Sequence, residues 1–121
     1  MIYEDEVNSL LQKPERGNLE LLSGQLCSEA GEVFGCLTKI NRAAYKIQRA
    51  PEGSVDLNAY TKELAELWER FDKELGDCLF YLAAIAKHRE TTLAKLQEAN
   101  ISKLKDRLAR NVLTSGSGDL R

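Results

Sequence analysis

The chain has 121 residues, 43% hydrophobic and 30% charged, with a formal net charge of −2; that is the profile of one globular domain, and it offers no basic field to attract a nucleic-acid polymer. No apolar run approaches the roughly 20 residues of a membrane span, and the acidic start Glu4-Asp5-Glu6 lacks the basic-then-apolar order of a secretory signal. Three cysteines, Cys27, Cys36 and Cys78, are odd in number and form no Cys-x-x-Cys pair, so they read as reduced thiols of a cytoplasmic protein.

Ala, Leu, Glu and Lys are abundant, and Gly and Pro are sparse in the middle of the chain, so the expected fold class is all-α. Residues 2–12 predict a short helix, stopped near Pro14 with Gly17 just beyond. Residues 19–49 predict a long helix, residues 50–56 a turn, and residues 57–89 a second long helix. Thr91 or Thr92 caps a last helix running to about Arg110. The segment from Thr114 has flexible-linker composition, which divides the chain into one domain over residues 1–113 and a tail over 114–121.

The two long segments share a pattern. Apolar residues fall at Leu19, Leu22, Leu26, Ala30, Val33, Leu37 and Ile40, and again at Leu64, Leu67, Phe71, Leu75, Cys78, Leu82 and Ile85. The steps are 3, 4, 4, 3, 4, 3 in both, with every position offset by 45. The doubled step of four is a stutter in a helical repeat. The expected architecture is an antiparallel long-helix hairpin plus short flanking helices, forming a helical bundle on oligomerisation. So thin a core in one chain calls for a homo-oligomer, a dimer or a tetramer.

Acidic residues accompany the stutter. Glu29 and Glu32 share a helix face, and Glu74 and Asp77 repeat the arrangement. The midpoint of Glu29 and Asp77 is Gly53, inside the turn, so folding back brings the pairs level. At 100° per residue these faces lie about a quarter-turn from the apolar repeat, in a groove beside the hairpin rather than in its core. Gln25 and Cys36 extend the first acidic face; Arg70 and Tyr81 occupy matching places on the second.

Four converging carboxylates repel and raise one another's pKa values, and a divalent cation removes that problem. Oxygen-only ligands suit Mg²⁺, with Mn²⁺ as the alternative, and Mg²⁺ points to phosphate chemistry. A single Glu-x-x-Glu pair is ordinarily a solvated face. Here the pair recurs, and each copy encloses a glycine, Gly31 or Gly76, whose helix cost of about 0.5–1 kcal/mol suggests close helix approach. Lys39, two turns after Glu32, reaches a phosphate or is simply solvated. Tyr81, one turn after Asp77, stacks on a base or packs an interface. His88 is the only histidine, which excludes a multi-His metal site within one chain. Trp68 fits bundle or subunit packing. The basic run from Lys103 to Arg110 binds phosphate or complements its helix C-terminus.

Ser28-Glu29-Ala30-Gly31-Glu32-Val33, together with Glu74-Leu75-Gly76-Asp77 and Phe80-Tyr81-Leu82, resembles the two signature helices of MazG-like nucleotide pyrophosphohydrolases. Asn100-Ile101-Ser102-Lys103-Leu104 with Arg107 resembles the Asn-x-x-Lys-Leu-x-x-Arg segment of that family. Gly116-Ser117-Gly118-Asp119-Leu120-Arg121 resembles a tail of some phage and bacterial members. The sequence departs from the pattern at Ser28, where a further acid is usual, and in the 41 residues between Glu32 and Glu74, a longer spacer than usual.

The resemblance implies an all-α NTP pyrophosphatase fold and Mg²⁺-dependent hydrolysis of a (deoxy)nucleoside triphosphate to monophosphate and pyrophosphate. It implies a homo-oligomer in which two subunits often build each site. By motif, Glu29, Glu32, Glu74 and Asp77 hold the metal, with Glu29 or Glu32 the carboxylate that handles the attacking water. Asn100, Lys103 and Arg107 contact phosphate or sugar. The alternatives are a related dUTPase-like or phosphoribosyl-ATP pyrophosphohydrolase, or a non-enzymatic helical interaction module that keeps the fold.

Overall fold

The computed structural model describes residues 2–54 and 56–110. They form four α-helices, α1 (Tyr3–Leu10), α2 (Leu19–Arg49), α3 (Leu57–His88) and α4 (Leu93–Ala109), and no strand. The 114–121 tail of the sequence analysis lies outside the described residues. No described helix is long and apolar enough to cross a membrane.

Local chemistry sets the helix ends. Asn18 Oδ1 accepts the Leu21 N–H at 3.0 Å and opens α2. Asp56 Oδ1 accepts the N–H groups of Asn58 and Ala59 at 3.1 and 3.2 Å and opens α3. Thr92 Oγ1 accepts the Lys95 N–H at 3.1 Å and opens α4. Each cap answers backbone donors that the helix itself leaves unpaired, and each is worth about 1 kcal/mol. Between α2 and α3 the turn passes through Gly53 at φ 78°, a backbone state glycine enters without steric cost.

The end of α3 is different. The Thr91 N–H donates to the Ala86 carbonyl at 2.9 Å, and the Glu90 N–H to the Lys87 carbonyl at 3.0 Å. This pattern needs a left-handed residue between them, usually glycine. Here that residue is Glu90, at φ 57°.

Packing departs from the expected repeat. Along α2 the buried and half-buried residues include Leu22, Leu26, Glu29, Val33, Cys36, Ile40, Ala43 and Ile47. Along α3 they include Tyr60, Leu64, Leu67, Phe71, Glu74, Cys78, Tyr81 and Ile85. Both series alternate steps of four and three, an unbroken seven-residue repeat. Ala30, Leu75 and Leu82, which the stutter placed in the seam, are exposed. The stutter is the point where an acid, Glu29 or Glu74, takes the seam position and its apolar neighbour is rotated outwards.

The two helices meet in reverse order. Ala43 and Lys46 share a cavity with Tyr60 and Glu63, while Glu29 and Glu32 meet Glu74. At the far end, Val7 and Leu11 of the α1 region close over Leu22, Ala83 and Ala84. Glu4, itself buried, holds this corner together: its Oε1 accepts the Leu93 N–H at the start of α4, at 2.9 Å. Asp5 adds an ion pair to Lys87 at 2.6 Å. The core remains small, with Leu22 and Val7 its largest fully buried side chains.

A left-handed non-glycine residue costs about 1–2 kcal/mol. Glu90→Gly is therefore expected to stabilise the chain by about 1 kcal/mol, read as a higher midpoint in urea or heat unfolding. An unchanged or lower midpoint would show that the Glu90 side chain compensates its own backbone cost.

Candidate metal centre

The seam register delivers two acids to the helix interface. Glu29 and Glu74 are half-buried, each with its Oε2 atom shut off from solvent and without a hydrogen-bond partner. Glu32 is exposed and reaches the same point from the side. One carboxylate oxygen from each of the three lies within 4.8 Å of the others. In an Mg²⁺ coordination octahedron, opposite ligands are about 4.2 Å apart and adjacent ones about 3 Å, so the three oxygens must draw closer together to share one ion. The donor set is all oxygen, and its two orphaned buried oxygens are what a hard cation satisfies.

The electrostatics carry the mark of this crowding. The Glu29 carboxyl is pushed up to about 7, first by its removal from water and then by hydrogen bonding and repulsion from Glu32, with Glu74 and Asp77 adding to it. Glu74 is also raised, chiefly through its hydrogen bond with Glu32 and then by desolvation. Burial, followed by the charges of Glu29, Asp77 and Glu74, raises the Cys78 thiol. That direction disfavours the thiolate form on which cysteine nucleophilicity depends.

A groove of about 600 Å³ opens beside the three acids, and Ser28, Glu32, Cys36, Lys39, Arg70 and Glu74 are among its lining. Lys39 thus stands where the sequence reading put it. Arg70 also enters the groove, although sequence reasoning gave it no role. Its signal was register: Arg70 directly precedes the seam residue Phe71, as Lys39 precedes Ile40 and Glu32 precedes Val33.

Other expected residues sit differently. Asp77 is exposed and outside the three-carboxylate group, although its charge is felt at Glu29, Glu74 and Cys78. Glu29 and Glu74 do not lie a quarter-turn from the seam, because they are in it, whereas Glu32 and Asp77 directly precede the seam residues Val33 and Cys78 and are exposed. Gly31 and Gly76 do not mark close helix approach within the chain, since a Cβ at either would meet nothing within 4 Å. Tyr81 packs against the core and stands edge-to-face with Phe80 at 5.2 Å. Its phenol is raised by burial and then by the charges of Glu15, Glu29 and Asp77, and the ring is not among the groove's lining. Asn100, Lys103 and Arg107 lie on α4 and do not line the groove; Arg107 is half-buried, and the other two are exposed.

The chain is similar to the Gene 37 protein of Mycobacterium phage L5, with 29% identity over 126 residues, covering 99% of this chain and 96% of that protein. No family model and no solved structure matches it.

Between the ordinary carboxylate range and about 7, folded Glu29 holds a proton that the unfolded chain releases. The folded state then binds more protons, so this contribution is fully present at low pH and is lost as pH rises through about 7. In EDTA, wild-type thermal stability should fall between about pH 5 and pH 8 relative to Glu29→Gln, by a few degrees for a change of about 1–2 kcal/mol. Millimolar Mg²⁺ or Mn²⁺ should restore the wild type at the higher pH and leave Glu29→Gln almost unmoved. Parallel pH profiles for the two proteins, with no ion response, would remove the electrostatic basis of the site.

Proposed function

We propose that this chain is a Mg²⁺-dependent nucleoside triphosphate pyrophosphohydrolase of the MazG-like type, releasing pyrophosphate and a nucleoside monophosphate. The observation that carries the reading is the meeting of Glu29, Glu32 and Glu74 from two helices, with two of their oxygens buried and unsatisfied. Lys39 and Arg70 border the same groove, so cations for substrate phosphates stand beside acids for a metal. That juxtaposition suits cleavage of a phosphoric anhydride better than metal storage, which needs no neighbouring cations.

When bound, Mg²⁺ supplies charge neutralisation at the phosphate oxygens. The residues of the chain do the rest. Glu29, Glu32 and Glu74 hold the ion, and Asp77 extends the set from the adjacent turn of α3. Glu29 or Glu32 accepts the proton of the attacking water. Lys39 and Arg70 hold phosphate oxygens in line, and Tyr81 flanks the nucleoside end.

In this reading α2 and α3 form an antiparallel long-helix hairpin, with α1 and α4 flanking it, in a cytoplasmic homo-oligomer. Phe34 (71% exposed), Trp68, Leu75, Leu79 and Leu82 supply an apolar side for assembly. Asn100, Lys103 and Arg107 then serve substrate binding from α4, as the family resemblance implies.

Pyrophosphate release from a panel of ribo- and deoxyribonucleoside triphosphates tests the proposal. Turnover should need Mg²⁺ and vanish in EDTA. Glu32→Gln and Glu74→Gln should each lower kcat by about 10²–10⁴-fold while keeping helicity by circular dichroism. No release from any nucleotide would sink the enzyme reading in favour of an interaction module, and full activity in both variants would sink the site.

A further inference from the structure

The acid groove has a neighbour. Towards the turn lies a second cavity of about 300 Å³ between α2 and α3, lined by Lys39, Arg42, Lys46, Tyr60, Glu63 and Leu67. Lys39 borders both spaces. Lys39, Arg42 and Lys46 directly precede the seam residues Ile40, Ala43 and Ile47, so they lie on one strip of α2 with Ser28 and Glu32. At 1.5 Å per residue, Lys39 is about 10 Å along the helix from Glu32, and Arg42 about 15 Å.

Three cations share this space with one acid. Among the described residues none of the three forms a salt bridge, although Glu63 lines the same cavity. Like charges in a concave site with an apolar floor, here Ala43 and Leu67, focus a positive potential that a multiply charged anion relieves. Two ammonium groups and a guanidinium fork match the oxygens of a phosphoryl group.

We propose that this cavity is a phosphate-binding subsite for the pyrophosphate end of the nucleotide. The substrate then lies along the groove with its polyphosphate towards the turn and its nucleoside towards Tyr81. The orientation rests on the hydrolase reading above; the affinity of the cavity for phosphoryl groups does not.

Calorimetry on the full chain in EDTA, titrating inorganic pyrophosphate and, separately, inorganic phosphate, separates the two claims. Pyrophosphate should bind at one site per chain, at least tenfold tighter than phosphate, and weaken as salt rises. The Arg42→Ala, Lys46→Ala double variant should lose at least tenfold in pyrophosphate affinity and keep wild-type Mn²⁺ binding, read by electron paramagnetic resonance. Glu32→Gln should do the reverse, losing Mn²⁺ and keeping pyrophosphate. Wild-type pyrophosphate affinity in the double variant, no preference over phosphate, or no binding to the wild type would overturn the subsite whether or not nucleotides are hydrolysed. Pyrophosphate binding that depends on Arg42 and Lys46, in a chain that hydrolyses no nucleotide, would support the subsite and end the hydrolase reading.

Discussion

Two carboxylates inside a helix seam govern the rest of this structure. Glu29 and Glu74 occupy positions that the seven-residue repeat otherwise gives to Leu, Val, Ile, Phe, Ala, Cys and Tyr. Withdrawing a carboxylate from water costs several kcal/mol unless the charge is compensated, and a third acid within 4.8 Å adds repulsion. A core whose largest fully buried side chains are Leu22 and Val7 has little to set against this. Without a cation the crowding favours the protonated form, which is the physical meaning of the upward shifts at Glu29 and Glu74. With a cation the acids ionise and their orphaned oxygens gain a partner. The feature that costs stability is thus the one that would favour an ion, and binding of one would be linked to folding.

The same register sorts the surface. Residues directly before seam positions, such as Glu32, Lys39, Arg42, Glu63 and Arg70, line the groove and its extension. Residues directly after them, such as Phe34, Trp68, Leu75, Leu79 and Leu82, are exposed and apolar. Because α2 and α3 run in opposite directions, an equal offset on both helices points to the same side of the pair. One side is therefore charged and concave, and the other is greasy. Covering the greasy side leaves the groove open, so assembly and ligand binding do not compete for surface.

Much of this was legible in the sequence, and the failures have physical causes. The long helices begin at Leu19 and Leu57 and end at Arg49 and His88, close to the bounds that periodicity sets. Those signals are local: Asn18 and Asp56 as caps, and Gly53 in the turn. The seam was misplaced by one residue around the acids because apolarity alone selects Ala30 and Leu75. Glu29 and Glu74 sit there with raised carboxyl pKa values, an electrostatic adjustment that apolarity does not encode. The capping of α4 by Glu4 was invisible, since it joins residues at opposite ends of the chain. Arg42 and Lys46 read as ordinary surface cations until Tyr60 and Glu63 face them across a cavity.

The order of charges along the groove argues against a merely solvated face. A surface helix gains by placing acids and bases four residues apart, where they pair. Complementing the helix dipole explains Lys46 and Arg49 in the last turn of α2, but that effect fades within one turn and does not reach Lys39 or Arg42. Here acids crowd at Glu29, Glu32 and Glu74, with Lys39 and Arg70 at the edge of their groove, and bases gather at Lys39, Arg42 and Lys46 around the single acid Glu63. Segregation of this kind raises self-repulsion at both ends of the groove. It becomes favourable only with a ligand that is itself segregated, carrying a cation at one end and dense negative charge at the other. A metal-bound polyphosphate has that form, so the charge order, more than any single residue, favours the nucleotide chemistry proposed above.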